Sequence, residues 1–342
     1  MKKISFISAV LSVCMLISTT AFADFSDMPK DAREKAAIEH AVANGILSGY
    51  EDGTVRPGNY ITRAEMASII TRACGATKSG DVGDFYDLNR DSWYYPAFEK
   101  AYYMGVFHGD GEGRMYPESN ITFQETFTIL SQVFDLLPSY TRSNEAPDPL
   151  PENTVYVEKN ARLYDVSILN SRGDTAGTAN WAKVFVAGLI EYGACDGITI
   201  APTEYITRAQ FAIVLDNIIQ NYIDTPGTYD SLPAGNTMIR CDGVILDNAS
   251  TESDIFVADG VGQAMLKLNG VTAKRLVVRG CATPVNSEMQ LENEAFGLVV
   301  NGTFDEIRII CPFIVADLTD AVYGKLYTAY RTSVNLATII QQ

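Results

Sequence analysis

One short pattern returns three times along the first two-thirds of this chain: Ile61-Thr62-Arg63-Ala64-Glu65, Ile121-Thr122-Phe123-Gln124-Glu125 and Ile206-Thr207-Arg208-Ala209-Gln210. Upstream of each stands a glycine pair, Gly45/Gly49, Gly105/Gly109 and Gly193/Gly197. A proline falls six positions before the residue that follows each threonine: Pro57, Pro117 and Pro202. Arg33, Trp93 and Trp181 lie twelve before the first glycine of each pair, and these are the only two tryptophans of the chain. Such a period constrains the fold more than any composition, because repeated units bury their apolar faces against one another.

Each unit reads as helix, glycine-rich loop, helix. Thr62 to Glu65 is a capping box: the threonine side chain accepts from the N3 amide, and the glutamate reaches back. Thr122–Glu125 and Thr207–Gln210 repeat it. Met66, Ile69, Ile70 and Ala73 then fall on one helical face, as do Phe211, Val214, Leu215 and Ile218. In the second unit Phe127, Ile129, Leu130 and Val133 serve. The helix upstream of the first loop is expected over 32–44, ended by Gly45. One such unit cannot close its own core, so the three are expected to pack together.

The N-terminus reads as a secretory signal peptide over 1–23. Lys2 and Lys3 precede an apolar run from Ile4 to about Ile17, and Ala21-Phe22-Ala23 follows, with cleavage before Asp24. The run is shorter than the roughly 20 residues of a membrane span, so no membrane insertion is expected after cleavage. Loss of two lysines makes the mature chain still more acidic than the formal net charge of −16. That balance excludes nucleic acid as a partner, and any anionic ligand must be gripped by individual basic groups. Of six cysteines, Cys14 goes with the leader. Cys74, Cys195, Cys241, Cys281 and Cys311 are widely spaced without a CxxC, which indicates buried thiols rather than a zinc site or a disulfide framework. One or two disulfides stay compatible with an oxidising compartment. No metal or cofactor is expected.

Residues 139–160, with Pro147, Pro149 and Pro151, read as an inserted loop or linker between the second unit (79–138) and the third (161–225). The first unit spans 24–78. From residue 226 to 342 the texture becomes β-rich. Short runs recur every ten or eleven residues: Val244–Leu246, Ile255–Val257, Met265–Leu268, Leu276–Val278, Leu298–Val300 and Ile307–Ile310. Turn signals at Asp242-Gly243, Asp259-Gly260, Asn269-Gly270 and Asn301-Gly302 separate them. A small β-solenoid of about three coils over 236–311 is expected, with a β-sandwich as the alternative. Residues 318–340 are read as a cap, of helical kind. Asp242, Asp247, Asp254, Asp259 and Asp305 are available as carboxylates, but aspartates at turns are ordinary turn formers. His40 and His108 lie outside this region. The reading is therefore not an enzyme.

Phe25-Ser26-Asp27, the run Gly45–Thr54, Ile61–Glu65, Phe85-Tyr86-Asp87, Ser92-Trp93 and Asn180-Trp181-Ala182 resemble the S-layer homology family, over about residues 24–224. The resemblance implies an α-helical bundle of pseudo-threefold symmetry that binds a secondary wall polymer, often through a pyruvylated sugar, or in some lineages modified peptidoglycan. It also implies a cell-wall or cell-surface location, with other surface-layer proteins as possible partners. Arg63 and Arg208 are the leading ligand-binding candidates. Each stands at a first helical position, where the dipole disfavours a cation and capping does not need one. Each offers a donor fork that fits the carboxylate of a ketal-linked pyruvate, and helix N-terminal amides would add anion affinity. Tyr50, Gly49 and Asp52 of the first loop complete the set with Trp93 and Trp181. The two tryptophans read more readily as bundle core than as sugar platforms, and Gly49 and Gly53 as positive-φ turn residues. Phe123 replaces the arginine of the second unit, so that pocket is either dead or reads a sugar face. Three functions fit: a wall-anchored display protein, a structural subunit of a surface array, and, less well, an anchored polysaccharide-processing enzyme.

Overall fold

The computed structural model describes residues 25–262, 266–280, 297–311, 315–328 and 333–336. The leader, Cys14 and Cys281 lie outside them. The six expected helices are present: α1 (Ala32–Ala43), α2 (Arg63–Ala73), α3 (Tyr95–Tyr103), α4 (Phe123–Phe134), α5 (Lys183–Tyr192) and α6 (Arg208–Ile218). All three capping boxes form, on Thr62/Glu65, Thr122/Glu125 and Thr207/Gln210. The first helix of each unit starts differently. α1 is capped by Asp31, α3 has a proline in its first turn, and α5 has no side-chain cap.

The units close a ring. Ile61, Ile121 and Ile206 are each fully buried and donate in a cycle. Ile61 N–H bonds Ile206 O (3.2 Å), Ile206 N–H bonds Ile121 O (3.2 Å), and Ile121 N–H bonds Ile61 O (2.9 Å). Around this triangle α1 packs on α6, α3 on α2, and α5 on α4. The first helix of every unit therefore rests on the second helix of the preceding unit, so no unit is complete alone.

Between α4 and α5, the expected loop carries a small antiparallel sheet. Its strands are β1 (Tyr140–Arg142), β2 (Thr154–Val157) and β3 (Arg162–Asp165), in the order β1-β3-β2.

The C-terminal third is a β-solenoid of about four turns. Its strands are β4 (Asn221–Ile223), β5 (Gly227–Tyr229), β6 (Thr237–Ile239), β7 (Val244–Asp247), β8 (Asp254–Val257), β9 (Leu266–Val278), β10 (Leu298–Ile309), β11 (Val315–Thr328) and β12 (Ser333–Leu336). Every pairing among them is parallel, which excludes the antiparallel sandwich. One column stacks β4, β6, β8 and the second half of β9, while the other stacks β5, β7 and the first half of β9. β9, β10 and β11 are single long strands that cross both columns. Asn269-Gly270 and Asn301-Gly302 are thus corners inside strands rather than turns between them, and the β9–β10 register slips by one residue there. Gly270 needs its missing side chain: its φ is +61°, and a Cβ would meet Asn248 Oδ1 at 2.6 Å. The expected helical cap at 318–340 is instead strand as far as Thr328, because Phe304 to Arg308 of β10 supplies a ladder for Tyr323 to Tyr327.

The solenoid is bolted to the helix C-termini. Arg240 donates to Asn44 O (2.9 Å) and Arg72 O (3.4 Å), at the ends of α1 and α2. Arg279 donates to Met104 O (3.0 Å) and Gln132 O (3.1 Å), at the ends of α3 and α4. Asn236 donates to Ile218 O (2.7 Å) and to the Tyr192 hydroxyl (2.8 Å), at the ends of α6 and α5. Cations at helix C-termini also match the dipole. Arg308 pairs with Asp135 just past α4. Phe256 packs edge-on against Phe134 at 5.4 Å, and Met238, Phe256, Ala258 and Val277 belong to the core of the helices.

Candidate functional site: the grooves between units

The first two amides of each second helix are satisfied by the loop of the next unit. Arg63 N–H and Ala64 N–H bond Ser119 O (2.8 Å) and Pro117 O (2.9 Å). Phe123 and Gln124 bond Glu204 O and Pro202 O, while Arg208 and Ala209 bond Asn59 O and Pro57 O. This gives the recurrent prolines their role, as acceptors for a neighbouring helix. It also corrects the expectation that these amides add anion affinity, since they already have partners within the ring.

The same geometry pushes each N1 side chain into the neighbouring unit. Arg208 is 4% exposed. Its Nε donates to Val55 O (2.9 Å) and its Nη2 to Ser48 O (2.7 Å), and Nη1 lies 3.6 Å from Glu65. Tyr50 completes this groove: its hydroxyl donates to Glu65 Oε1 (3.0 Å), and the guanidinium carbons of Arg56 and Arg208 lie 3.8 and 5.1 Å from its ring centroid. Burial raises the Tyr50 phenol above its ordinary value, with Arg208 opposing. Arg63 is more open. Nε donates to Met115 O (2.8 Å) and Nη1 lies 3.5 Å from Glu125, but Nη2 donates to no described residue. Burial lowers its pKa, with Glu125 opposing. In the third groove both counterparts of the charged pair are neutral, Phe123 and Gln210. Phe123 is buried edge-on against Phe127 at 5.8 Å, so it fills the core.

The remaining candidates separate. Asp52 bonds Thr54 and Arg56 within its own loop, and these bonds hold its carboxyl at about 2. Gly49 does not have positive φ. It is required for close approach, since a Cβ would lie 2.0 Å from the Phe25 ring. Gly53 does take φ +75°. Trp93 and Trp181 are 64% and 54% exposed, which corrects their reading as bundle core. Arg33, their counterpart, bonds Asp196 O and Asn217 of the third unit.

The sequence reading missed a set of aspartates. Asp27 accepts from Val55 N–H (2.7 Å) and Arg56 N–H (2.8 Å), and Asp87 from Met115 N–H and Tyr116 N–H (2.7 Å). Arg56 and Tyr116 sit at φ +49° and +53°, an unfavourable region for non-glycine residues that these carboxylates hold in place. Asp174 likewise accepts from the loop, from Ile200 N–H (2.9 Å), and pairs with Arg172 (2.7 Å). The Phe-x-Asp triplets at 25 and 85 carried the signal; the third unit has Arg172 in place of the phenylalanine. The Arg172 bond first, with the Ile200 amide helping, lowers Asp174 from 3.8 to about 2. A lowered carboxyl stabilises above its unfolded pKa and loses that contribution as pH falls toward the folded one. Asp174→Asn should therefore flatten the stability loss of the full chain between pH 4 and 2, by about 1 kcal/mol, as read by urea melts across that range.

The fold is a ring of helix pairs carrying a solenoid, and its first two pairs match a known family. The model of the S-layer homology domain matches residues 24–67 and 84–127. The chain is 27% identical over 226 residues to the surface-layer 125 kDa protein of Lysinibacillus sphaericus, covering 64% of this chain and 17% of that protein. It is 30% identical over 129 residues to S-layer protein EA1 of Bacillus anthracis, covering 36% and 15%. It is 27% identical over 199 residues to exoglucanase XynX of Acetivibrio thermocellus, covering 57% and 16%. The chain thus spans less than a fifth of each of these relatives. The matches indicate a secreted protein of the cell surface. Among the described residues no helix is long and apolar enough to cross a membrane.

Proposed function

We propose that this chain anchors non-covalently to an acidic, pyruvylated glycan of the cell wall and displays the solenoid outward. The observation that carries the reading is Arg63. It lies in the groove between the two helix pairs that the family model matches, and its Nη2 donates to no described residue. We read the pair α5–α6 as a third unit of the same kind, from its capping box and its place in the ring. Arg208 then serves chiefly as a cross-brace, so the three grooves are unequal. The reading includes no reaction. The exoglucanase is matched over only 16% of its length, which leaves its activity outside the comparison. The S-layer relatives favour a second reading, a subunit of a surface array.

The test is co-sedimentation of the full mature chain with cell walls of the producing bacterium, before and after the non-peptidoglycan polymer is stripped. Binding that disappears on stripping, and that Arg63→Ala weakens at least tenfold, supports the anchor. Binding unchanged by stripping refutes a non-peptidoglycan glycan as the ligand. Ordered sheets formed by the purified chain with Ca²⁺, without wall binding, would favour the array.

A further inference from the structure

Five large, exposed aromatic side chains belong to the second unit: Tyr86, Trp93, Tyr102, Tyr103 and Tyr116. Two of them are locked around a guanidinium. Arg114 Nε donates to the Tyr86 hydroxyl, and Nη1 to the Tyr116 hydroxyl at 3.3 Å. The guanidinium carbon lies 5.4 and 5.9 Å from the two ring centroids. The Tyr116 hydroxyl donates to Asp110 Oδ2 (2.8 Å), while Asp110 Oδ1 accepts from Glu112 N–H and Arg114 N–H. Yet Tyr86 is 66% and Tyr116 40% exposed. The corresponding residues of the first unit, sixty positions earlier, are Ser26, Thr54 and Arg56. The ring therefore closes without this arrangement.

We propose that Tyr86, Arg114 and Tyr116 form a stacking subsite for a neutral pyranose of the wall polymer. The inference rests on the wall-polymer reading and deepens it. Its position is the first argument: Met115, between Arg114 and Tyr116, is the residue whose carbonyl holds Arg63 Nε at 2.8 Å. A polymer with an acidic sugar at Arg63 would bring its next residue to the tyrosines. Preorganisation is the second: rings already pinned by hydrogen bonds lose little freedom on binding, and tyrosine offers wide contact with few torsions. The sugar's C–H face meets the rings, and its hydroxyls meet Arg114 Nη2, which donates to no described residue.

The test titrates the full mature chain with wall polymer released from the wall, and with the same polymer after its carboxylates are reduced to alcohols. Tyr86→Ala/Tyr116→Ala should weaken binding of the native polymer about tenfold and remove the residual binding of the reduced one. Tyr86→Phe/Tyr116→Phe keeps the rings but removes the hydroxyls that pin them, and should weaken binding less than the alanine pair, by about threefold. If the alanine pair fails to fold, Arg114→Ala on its own should still lower binding of the reduced polymer. Unchanged binding of the reduced polymer by the alanine pair overturns the subsite and leaves the anchor standing. Failure of the wild-type chain to bind either polymer overturns both. Loss of self-association by the alanine pair, with polymer binding intact, would reassign the rings to a contact between copies.

Discussion

Arg208→Ala is expected to cost the full chain about 3–5 kcal/mol, the range for removing one partner of a buried charged pair. The side chain is almost completely enclosed and bridges units that lie far apart in sequence. Its loss strands Val55 O and Ser48 O, and leaves Glu65 with only Tyr50 and its own cap as partners. Arg208→Lys should recover little, because one ammonium cannot reach two carbonyls and a carboxylate with a planar fork. Arg63→Ala should cost less, about 1–2 kcal/mol, since that guanidinium makes one backbone bond and a more exposed ion pair. Urea denaturation of the three variants measures the order. Equal losses at 63 and 208 would contradict the division between brace and open site.

A second large effect is expected at the mount. The helices and the solenoid share core residues and are tied at six helix ends, so the wild-type chain should unfold in one transition. Arg240→Ala/Arg279→Ala removes four bonds to helix carbonyls and leaves Asp259 without its main partner. The pair should lower stability by about 4 kcal/mol or more and split the melt into two steps. Calorimetry of the variant decides this. A single transition displaced to lower temperature would show that the apolar seam around Phe134 and Phe256 carries the coupling alone.

What could be read from the sequence was local. A capping box lies within four residues, so Thr62 and Glu65 declared their helix before any contact was known. The ring is non-local. Nothing within the run Ile61–Glu65 says that its amides will bond carbonyls near Pro117, so the prolines were visible as a period without a task. Arg63 and Arg208 looked equivalent because the motif is the same. Their difference arises from the loops they enter: that of the first unit offers Arg208 two carbonyls, Val55 O and Ser48 O, while that of the second offers Arg63 only Met115 O. In the solenoid, the β-branched runs gave most strands but not their fusion, because Asn-Gly marks a corner and a reversal alike. The strands at 140–142, 154–157 and 162–165 were too short and too close to prolines to show a period. Trp93 and Trp181 were misjudged for another reason: apolar character says that a side chain can be buried, not that a face is available to bury it.

The mount also sets direction. All six helices turn their C-terminal ends to the solenoid, while the grooves open at the N-terminal ends of the second helices. With eleven residues in α2 and about 1.5 Å of rise per residue, the two ends stand roughly 16 Å apart on a stiff base. Each further coil stacked on such a base would add about 4.8 Å along a fixed line. The chain thus has the mechanics of a ruler on a tripod: height above the gripped surface is written in coil number, and a sideways pull at the tip reaches all three feet together.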